Sequence, residues 1–179
     1  MNVDATYKLC IFGEGGVGKT SLTRRFLTGL FEIDTKMTMG AAIFVKYLEV
    51  EGRKVAIQIW DFGGEKQFRF LIPVYAHGSA GGIFMFDLSR YATLGNTEDW
   101  LTFFKEGLAD EHKDIPIVMV GAKLDLVDKR NVDEEEAREI CNKFGLAEYI
   151  ECSAKSGENV EKVFEVIVKE MMQNAGLLK

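Results

Sequence analysis

Apolar residues follow two spacings along the chain, and these predict strands and helices in alternation. Short apolar or alternating runs predict six strands, over residues 7–12, 43–50, 54–60, 83–86, 115–120 and 149–152. Val55, Ile57 and Ile59 occupy every second position of the third run, the period of a strand with one buried face. Apolar residues three or four apart predict helices over residues 19–30, 133–144 and 160–171, and around residues 100–108.

Capping and breaking residues mark several element ends. Gly29 lies near the end of the first predicted helix and would help to end it, Gly145 follows the helix over residues 133–144, and Asp133 with Glu136 has the form of a capping box. Residues 68–75 also have helical spacing, but Pro73 must kink or interrupt that segment.

Strands that alternate with helices predict an α/β fold, with a six-stranded, mostly parallel sheet covered by helices on both faces. The tight turn at residues 51–53 requires the two strands that it joins to pair antiparallel. We expect a single domain over residues 1–179, since the chain contains no repeat and no linker. Ligands bind at the carboxyl ends of strands in such folds, which brings together the loops after Phe12, Trp60, Val120 and Cys152.

The loop after Phe12 matches the phosphate-loop pattern G-x-x-x-x-G-K-[ST] between a strand and a helix, so we predict the P-loop NTPase fold. Its backbone N–H groups and the helix N-terminus would bind phosphate oxygens, Lys19 would reach the β- and γ-phosphates, and Thr20 would bind Mg²⁺. The alternative is a glycine-rich turn with an incidental lysine. The predicted phosphate-binding residues are Gly13, Gly15, Gly16, Val17, Gly18, Lys19, Thr20 and Ser21.

The loop after Trp60 contains Asp61 and Gly64. A carboxylate beside a phosphate loop suits Mg²⁺, which takes few protein oxygens and keeps several waters. Gly64 offers an N–H that can approach a γ-phosphate with no Cβ in the way. The alternative is an ordinary turn in which the aspartate caps a helix.

The two remaining loops are candidates for recognition of a base. Asp125 can accept two hydrogen bonds from guanine that adenine cannot donate, and the stem of Lys123 can lie along the base. Ser153, Ala154 and Lys155 follow the last strand. Alone, Lys123 and Asp125 are equally consistent with surface loop charges.

Together these motifs resemble the Ras superfamily of small GTPases over essentially the whole chain, and residues 38–40, 57–61 and 97–101 are most similar to the Rab branch. The resemblance implies that Thr38 binds Mg²⁺ and senses the γ-phosphate, and that Phe31 packs on guanine opposite Lys123. It also implies that Asp61 holds Mg²⁺ through water and that the Ala154 N–H binds the base. Local alternatives are core packing for Phe31 and an ordinary loop position for Thr38.

Two positions depart from that pattern. Glu65 stands where the family usually has a glutamine that orients the attacking water, and an ionised carboxylate cannot donate to the γ-phosphate. Ala122 stands where the family usually has an asparagine that contacts the base and ties loops together, so we expect weaker binding or faster exchange.

Composition narrows the function further. The chain is 47% hydrophobic and 28% charged, and its net charge of −6 with scattered basic residues argues against nucleic acid as a partner. Cys10, Cys141 and Cys152 form no C-x-x-C pair, which is typical of reduced structural cysteines in a cytosolic protein. No signal peptide, membrane-spanning run or lipidation motif is encoded, so we expect a cytoplasmic protein without a lipid anchor. We also expect a monomer.

The sequence therefore favours a GTPase switch that binds GTP or GDP with Mg²⁺. Slow hydrolysis is expected from Lys19, Thr38, Gly64 and Glu65, because the matched motifs contain no arginine to stabilise the transition state. Effectors, an exchange factor and an activating protein are expected at a surface formed by Ile43, Trp60 and Tyr75, positions that resemble the apolar effector patch of the Rab branch; the alternative is that these side chains pack locally. The alternative functions are a nucleotide-bound interaction module that hardly hydrolyses and, more remotely, a small-molecule kinase.

Overall fold

The computed structural model describes residues 2–33 and 36–179, and its strands form one six-stranded sheet in the order β2-β3-β1-β4-β5-β6. Neighbouring strands are parallel except β2 and β3, which are antiparallel. The predicted α/β architecture is therefore confirmed. The strands are β1 (Ala5–Phe12), β2 (Ala41–Val50), β3 (Arg53–Phe62), β4 (Gly81–Asp87), β5 (Ile117–Ala122) and β6 (Glu148–Glu151).

Six helices and three short 3₁₀ segments connect the strands within the described residues. Gly29, with φ of 74°, ends the first helix at residue 28 rather than 30 by donating to the carbonyl of Arg25. The helices are α1 (Lys19–Thr28), α2 (Ile72–Ala76), α3 (Tyr91–Gly95), α4 (Thr97–Glu106), α5 (Glu134–Lys143) and α6 (Val160–Asn174), and the 3₁₀ segments are Lys66–Leu71, Asp110–His112 and Val127–Lys129.

Local chemistry explains where two helices differ from prediction. The predicted helix at 68–75 is divided into the 3₁₀ segment Lys66–Leu71 and α2, and Pro73 lies in the first turn of α2, where its missing N–H is not needed. Asp133 caps α5, but it accepts from the N–H of Glu135 rather than of Glu136 as a capping box would require.

Two layers of helices cover the sheet. On one face α1 and α6 pack together, and the rings of Phe26 and Phe164 stack with centroids 3.9 Å apart. On the other face α2 to α5 contribute a second cluster, in which Phe12 stacks on Phe104 at 4.4 Å. Full burial of such side chains stabilises the fold by roughly 1.5–3 kcal/mol each. The sheet is thus held rigid from both sides.

The cysteines match the expectation from their spacing. Cys10, Cys141 and Cys152 are buried and free, as predicted for structural cysteines. Within residues 2–33 and 36–179, no helix has both the length and the apolar character needed to cross a bilayer.

All strands except β2 run in one direction, so their carboxyl ends meet at one edge of the sheet. The four loops predicted from the sequence to surround a ligand lie at this edge. The loop after β4 joins them there, because β4 lies between β1 and β5. Any ligand bound at this edge is therefore surrounded by five loops.

Candidate functional site

The phosphate loop connects β1 to α1 through residues 13–18. Gly13 has φ of 147°, and a Cβ at this position would overlap the carbonyl oxygen of Met85 on β4. Only glycine fits there, because any side chain would displace a core strand. The loop therefore keeps its backbone close to the sheet, and its turn precedes the N-terminus of α1 as the motif predicts.

Lys19 is buried at the start of α1, with 6% of its surface exposed. Its Nζ donates to the carbonyls of Gly13 at 2.9 Å and Glu14 at 2.6 Å, so the ammonium group lies inside the loop. Burial lowers the pKa of Lys19 to about 8, and the charges of Asp61 and Glu14 only partly oppose this. A cation held with so little water around it is well placed to bind an anion.

The three predicted Mg²⁺ ligands lie together beside Lys19. Thr20 Oγ1 donates to Asp61 Oδ2 at 2.5 Å and is hydrogen-bonded to Thr38 Oγ1 at 2.9 Å. Asp61 is fully buried, and it lies within β3, which extends to residue 62, rather than in the loop that we predicted. Burial raises the pKa of Asp61, against the opposing effects of the Thr20 hydrogen bond and the Lys19 charge.

Asp61 has an oxygen available for a metal ion. Its Oδ1 is buried and has no hydrogen-bond partner among the residues that the structure describes. A buried carboxylate oxygen without a partner is costly, and a cation or its bound water would satisfy it. Two hydroxyls and one carboxylate are hard oxygen ligands, so the residues present fit Mg²⁺.

Gly64 and Glu65 close over the phosphate loop. A Cβ on Gly64 would overlap the backbone of residues 13–15, so the close approach requires glycine. The Glu65 carboxylate lies against the α-carbon of Gly15, in space that a larger residue would fill. Lys19, Thr20, Thr38, Gly64 and Glu65 line one cavity of about 230 Å³, which we call the phosphate cavity.

A second cavity of about 400 Å³, which we call the base pocket, lies on the other side of the phosphate loop. Asp125 accepts from the hydroxyl of buried Ser153 at 2.7 Å, which fixes its position. Asp125 itself is exposed. Predicted residues that line the pocket are Gly16, Val17, Gly18, Ser21, Phe31, Lys123, Asp125, Ala154 and Lys155.

Asp87, at the carboxyl end of β4, was missed by the sequence analysis. Its carboxylate is buried and accepts from Lys123 Nζ at 2.9 Å and Arg90 Nε at 3.1 Å. Its position at the end of a strand adjacent to β1 could have revealed it, since that is where ligands meet parallel sheets.

Glu14 was also missed, because it fills a variable position of the phosphate-loop motif. Its side chain turns away from Lys19 and accepts from Arg69 at 3.0 Å, Asn96 at 2.9 Å and the indole of Trp100 at 3.2 Å. Nothing in the spacing of these residues along the chain indicates that they are in contact. They connect the phosphate loop to the segment after β3 and to α4.

The three side chains expected to bind partners are adjacent on the outer side of the sheet. Ile43 is 54% exposed and pairs in register with Trp60, whose ring lies 5.9 Å from that of Tyr75. Trp60 and Tyr75 are half-buried, so local packing accounts for part of their surface. Other exposed apolar side chains lie close to these residues along the chain: Met39, Phe70 and Val74.

Comparison with known proteins gives a consistent result. The sequence profile of the Ras family matches residues 8–173. The chain is 34% identical to the Ras-related protein YPTC6 of Chlamydomonas reinhardtii, over 94% of this chain and 76% of that protein. It is 33% identical to the Ras-related protein Rab-19 of Rattus norvegicus (98% and 80%) and 34% identical to the Ras-related protein Rab-11A of Dictyostelium discoideum (94% and 77%).

Proposed function

Because the chain belongs to the Ras family of small GTPases and is Rab-like, we propose that it binds GTP and GDP with Mg²⁺ and hydrolyses GTP slowly, as a switch for protein effectors. One observation carries this proposal. The phosphate loop separates the phosphate cavity from the base pocket, and Gly16, Gly18 and Ser21 line both. A ligand with a polyphosphate at one end and a base at the other fits this pair of cavities.

The residues of the phosphate cavity would bind and orient the phosphates. Lys19 would exchange its contacts with the carbonyls of Gly13 and Glu14 for phosphate oxygens, and the N–H groups of the loop would bind others. Thr20, Thr38 and Asp61 would hold Mg²⁺, which neutralises charge on the phosphates when bound.

Slow hydrolysis follows from the groups that face the attacking water. Ionised Glu65 can accept a hydrogen bond from water, but it cannot donate one to the γ-phosphate and adds negative charge beside Gly15. Arg90 is held by Asp87 and by the carbonyl of Gly15, so it is not free to act on the γ-phosphate in this arrangement. An activating protein would then supply the missing positive charge.

Switching would act through two segments that meet over the phosphate cavity. Thr38 and Gly64 both line the cavity, and the N–H of Gly63 donates to the carbonyl of Gly40 at 2.7 Å. Loss of the γ-phosphate would remove the contacts that hold both segments. Effectors, an exchange factor and an activating protein would bind at Ile43, Trp60 and Tyr75, where they would distinguish the two nucleotide states.

The test has two parts. Nucleotide released from purified protein should be GDP or GTP by chromatography, and adenine nucleotides would overturn the choice of guanine. Protein loaded with GTP should then hydrolyse it in a single turnover faster than GTP decays in buffer, measured as released phosphate. Asp61→Asn, which removes a charge from the predicted Mg²⁺ site, should lower that rate, whereas the exposed-site control Asp128→Asn should not.

The second candidate is a nucleotide-bound interaction module that scarcely hydrolyses. The position of the Glu65 carboxylate against Gly15, on the lining of the phosphate cavity, favours it, since this charge would repel a γ-phosphate bound there. A hydrolysis rate equal to that of free GTP, in a protein that retains GTP and with candidate activators present, would support the module and overturn the enzyme.

A further inference from the structure

Asp87 is a buried carboxylate that lies beside the phosphate loop and has no part in the function proposed above. It is 1% exposed and its Oδ1 accepts from the N–H and hydroxyl of Ser89, at 2.8 and 2.6 Å. Its Oδ2 faces two cations, Arg90 Nε at 3.1 Å and Lys123 Nζ at 2.9 Å. Burial raises the pKa of Asp87, but the hydrogen bonds from Lys123 and Ser89 outweigh this and hold the pKa below its usual value.

Both cations also bind the phosphate loop. Arg90 Nη2 donates to the carbonyl of Gly15 at 2.9 Å, and Lys123 Nζ donates to the carbonyl of Gly16 at 2.8 Å. Two consecutive carbonyls are therefore held by two cations that share one carboxylate oxygen. We call Asp87, Arg90 and Lys123 the carbonyl clamp.

The clamp fixes N–H groups as well as carbonyls. A trans peptide unit is planar, with its carbonyl and the next N–H pointing in opposite directions. Holding the carbonyls of Gly15 and Gly16 on the outer side therefore directs the N–H groups of Gly16 and Val17 toward the inside of the loop. Glycine-rich backbone has many other conformations available, and the clamp removes part of that freedom before a ligand arrives.

At the end of the neighbouring strand β5, Lys123 contacts the phosphate loop, whereas the side chain of Ala122 cannot. Ala122 is paired with Asp87 in the sheet, and its carbonyl accepts from the N–H of Leu88 at 3.0 Å. Its side chain is a buried methyl group with no hydrogen-bonding atom. Arg90 and Lys123 link this part of the site to the phosphate loop through hydrogen bonds to the carbonyls of Gly15 and Gly16.

We propose that Arg90 is a positioning residue for the phosphate loop, which, anchored on Asp87, preorganises the loop N–H groups and slows the release of diphosphate and triphosphate nucleotides. The inference rests on the proposed nucleotide binding. Arg90 is 47% exposed, so its effect should be moderate. Removing it should raise the dissociation rate of bound GDP on the order of 5-fold, equivalent to about 1 kcal/mol.

The experiment follows release of a fluorescent GDP analogue into excess GDP, with Mg²⁺ fixed. Arg90→Ala should release it about 5-fold faster than wild type, and Arg90→Lys, which keeps the charge but lacks the separate Nε and Nη2 donors that contact Asp87 and Gly15, should lie between. Arg138→Ala is the matched control, because Arg138 is 54% exposed and pairs with Glu134 on α5. It should leave the rate unchanged.

Coupling to Asp87 separates positioning from a general structural effect. In an Asp87→Asn background, Arg90→Ala should add little, because the anchor of Arg90 is already weakened. The GTP hydrolysis step, measured in a single turnover on loaded protein, should change less than 2-fold in Arg90→Ala, because Arg90 is assigned to binding.

The failures are distinguishable. If wild type binds the analogue but Arg90→Ala and Arg90→Lys both release it at the rate of Arg138→Ala, the clamp assignment is overturned and the proposed function stands. A hydrolysis step that falls as much as release rises would overturn positioning in favour of catalysis. If wild type shows no saturable binding, the proposed function fails, and the clamp fails with it.

Discussion

The phosphate cavity and the base pocket are built in different ways. The phosphate cavity is lined by the phosphate loop and the start of α1, by residues 36–38 and by Phe62, Gly64 and Glu65, and close backbone contacts at Gly13 and Gly64 fix its shape. The base pocket is formed by side chains from separate loops, and Asp125 within it is exposed. Backbone geometry is set by few residues, whereas side chains on several loops need further interactions to hold them. We therefore expect the phosphate cavity to supply affinity and the base pocket to supply selectivity and to control exchange.

Removing Lys19 should break the phosphate cavity with the largest effect. Lys19→Ala takes away a buried cation that would bind the β- and γ-phosphates, so the affinity for GDP should fall on the order of 100-fold or more. Isothermal titration with GDP and Mg²⁺ measures this. Lys162→Ala, at an exposed lysine on α6, is the control and should bind like wild type. Equal affinities for the two variants would contradict the assignment of the phosphate cavity.

Removing Asp125 should affect the base pocket and leave the phosphate cavity intact. Asp125→Ala should weaken GDP binding roughly 30-fold while weakening ADP binding far less, because the acceptor for guanine N–H groups is lost. Competition titrations with both nucleotides give the ratio of the GDP affinity to the ADP affinity. The control Asp128→Ala changes an exposed aspartate three residues later and should leave this ratio at the wild-type value. A parallel loss for GDP and ADP would show that Asp125 supports the loop rather than reading the base.

The pH dependence of binding should sharpen the comparison further. The pKa of Lys19 is lowered to about 8 by burial, and a phosphate bound to its charged form would raise it. The free protein therefore loses the Lys19 proton above pH 8, and binding must restore it. Affinity for GDP should fall about 10-fold between pH 7 and pH 9, and Lys19→Ala should lack this fall. A wild-type affinity that stays constant over this range would contradict the loss of the Lys19 proton in the free protein.

The smallest expected change concerns the γ-phosphate end of the phosphate cavity. Glu65→Gln removes a negative charge beside Gly15, so the preference for GTP over GDP should rise about 3-fold. The dissociation constant for GDP divided by that for GTP measures this preference, and Glu161→Gln on α6 is the control. A lower ratio in Glu65→Gln than in wild type would mean that the Glu65 carboxylate interacts favourably with the bound triphosphate.

The sequence was most informative where function depends on local backbone. The spacing of Gly13, Gly18 and Lys19 and the strand before them define the phosphate loop without tertiary information. Only the pairing of β2 with β3 could be predicted from the sequence, and the order of the other strands in the sheet could not. Helix α3 was not predicted, because its five residues are too few to show a period.

The parts of the site that were missed depend on which loops become neighbours. Arg90 binds Gly15 from 75 positions away, and nothing in the spacing of the chain indicates that contact. Lys123 adopts a left-handed backbone with φ of 67°, which turns its Nζ toward Gly16 and is not foreseen from a lysine in a polar loop. The exposure of Asp125 similarly follows from the surrounding loops rather than from the residue type.

The contacts of Glu14 give the protein an optical reporter of its own state. Trp100 is 1% exposed, donates its indole N–H to Glu14 at 3.2 Å, and lies under the guanidinium of Arg69 at 4.8 Å from the ring centroid. A shift of the phosphate loop or of the 3₁₀ segment that carries Arg69 would therefore alter the electric field at a shielded indole. In a Trp60→Phe variant, which leaves Trp100 as the single tryptophan of the chain, the emission of Trp100 should follow nucleotide loading and turnover in real time without an added label.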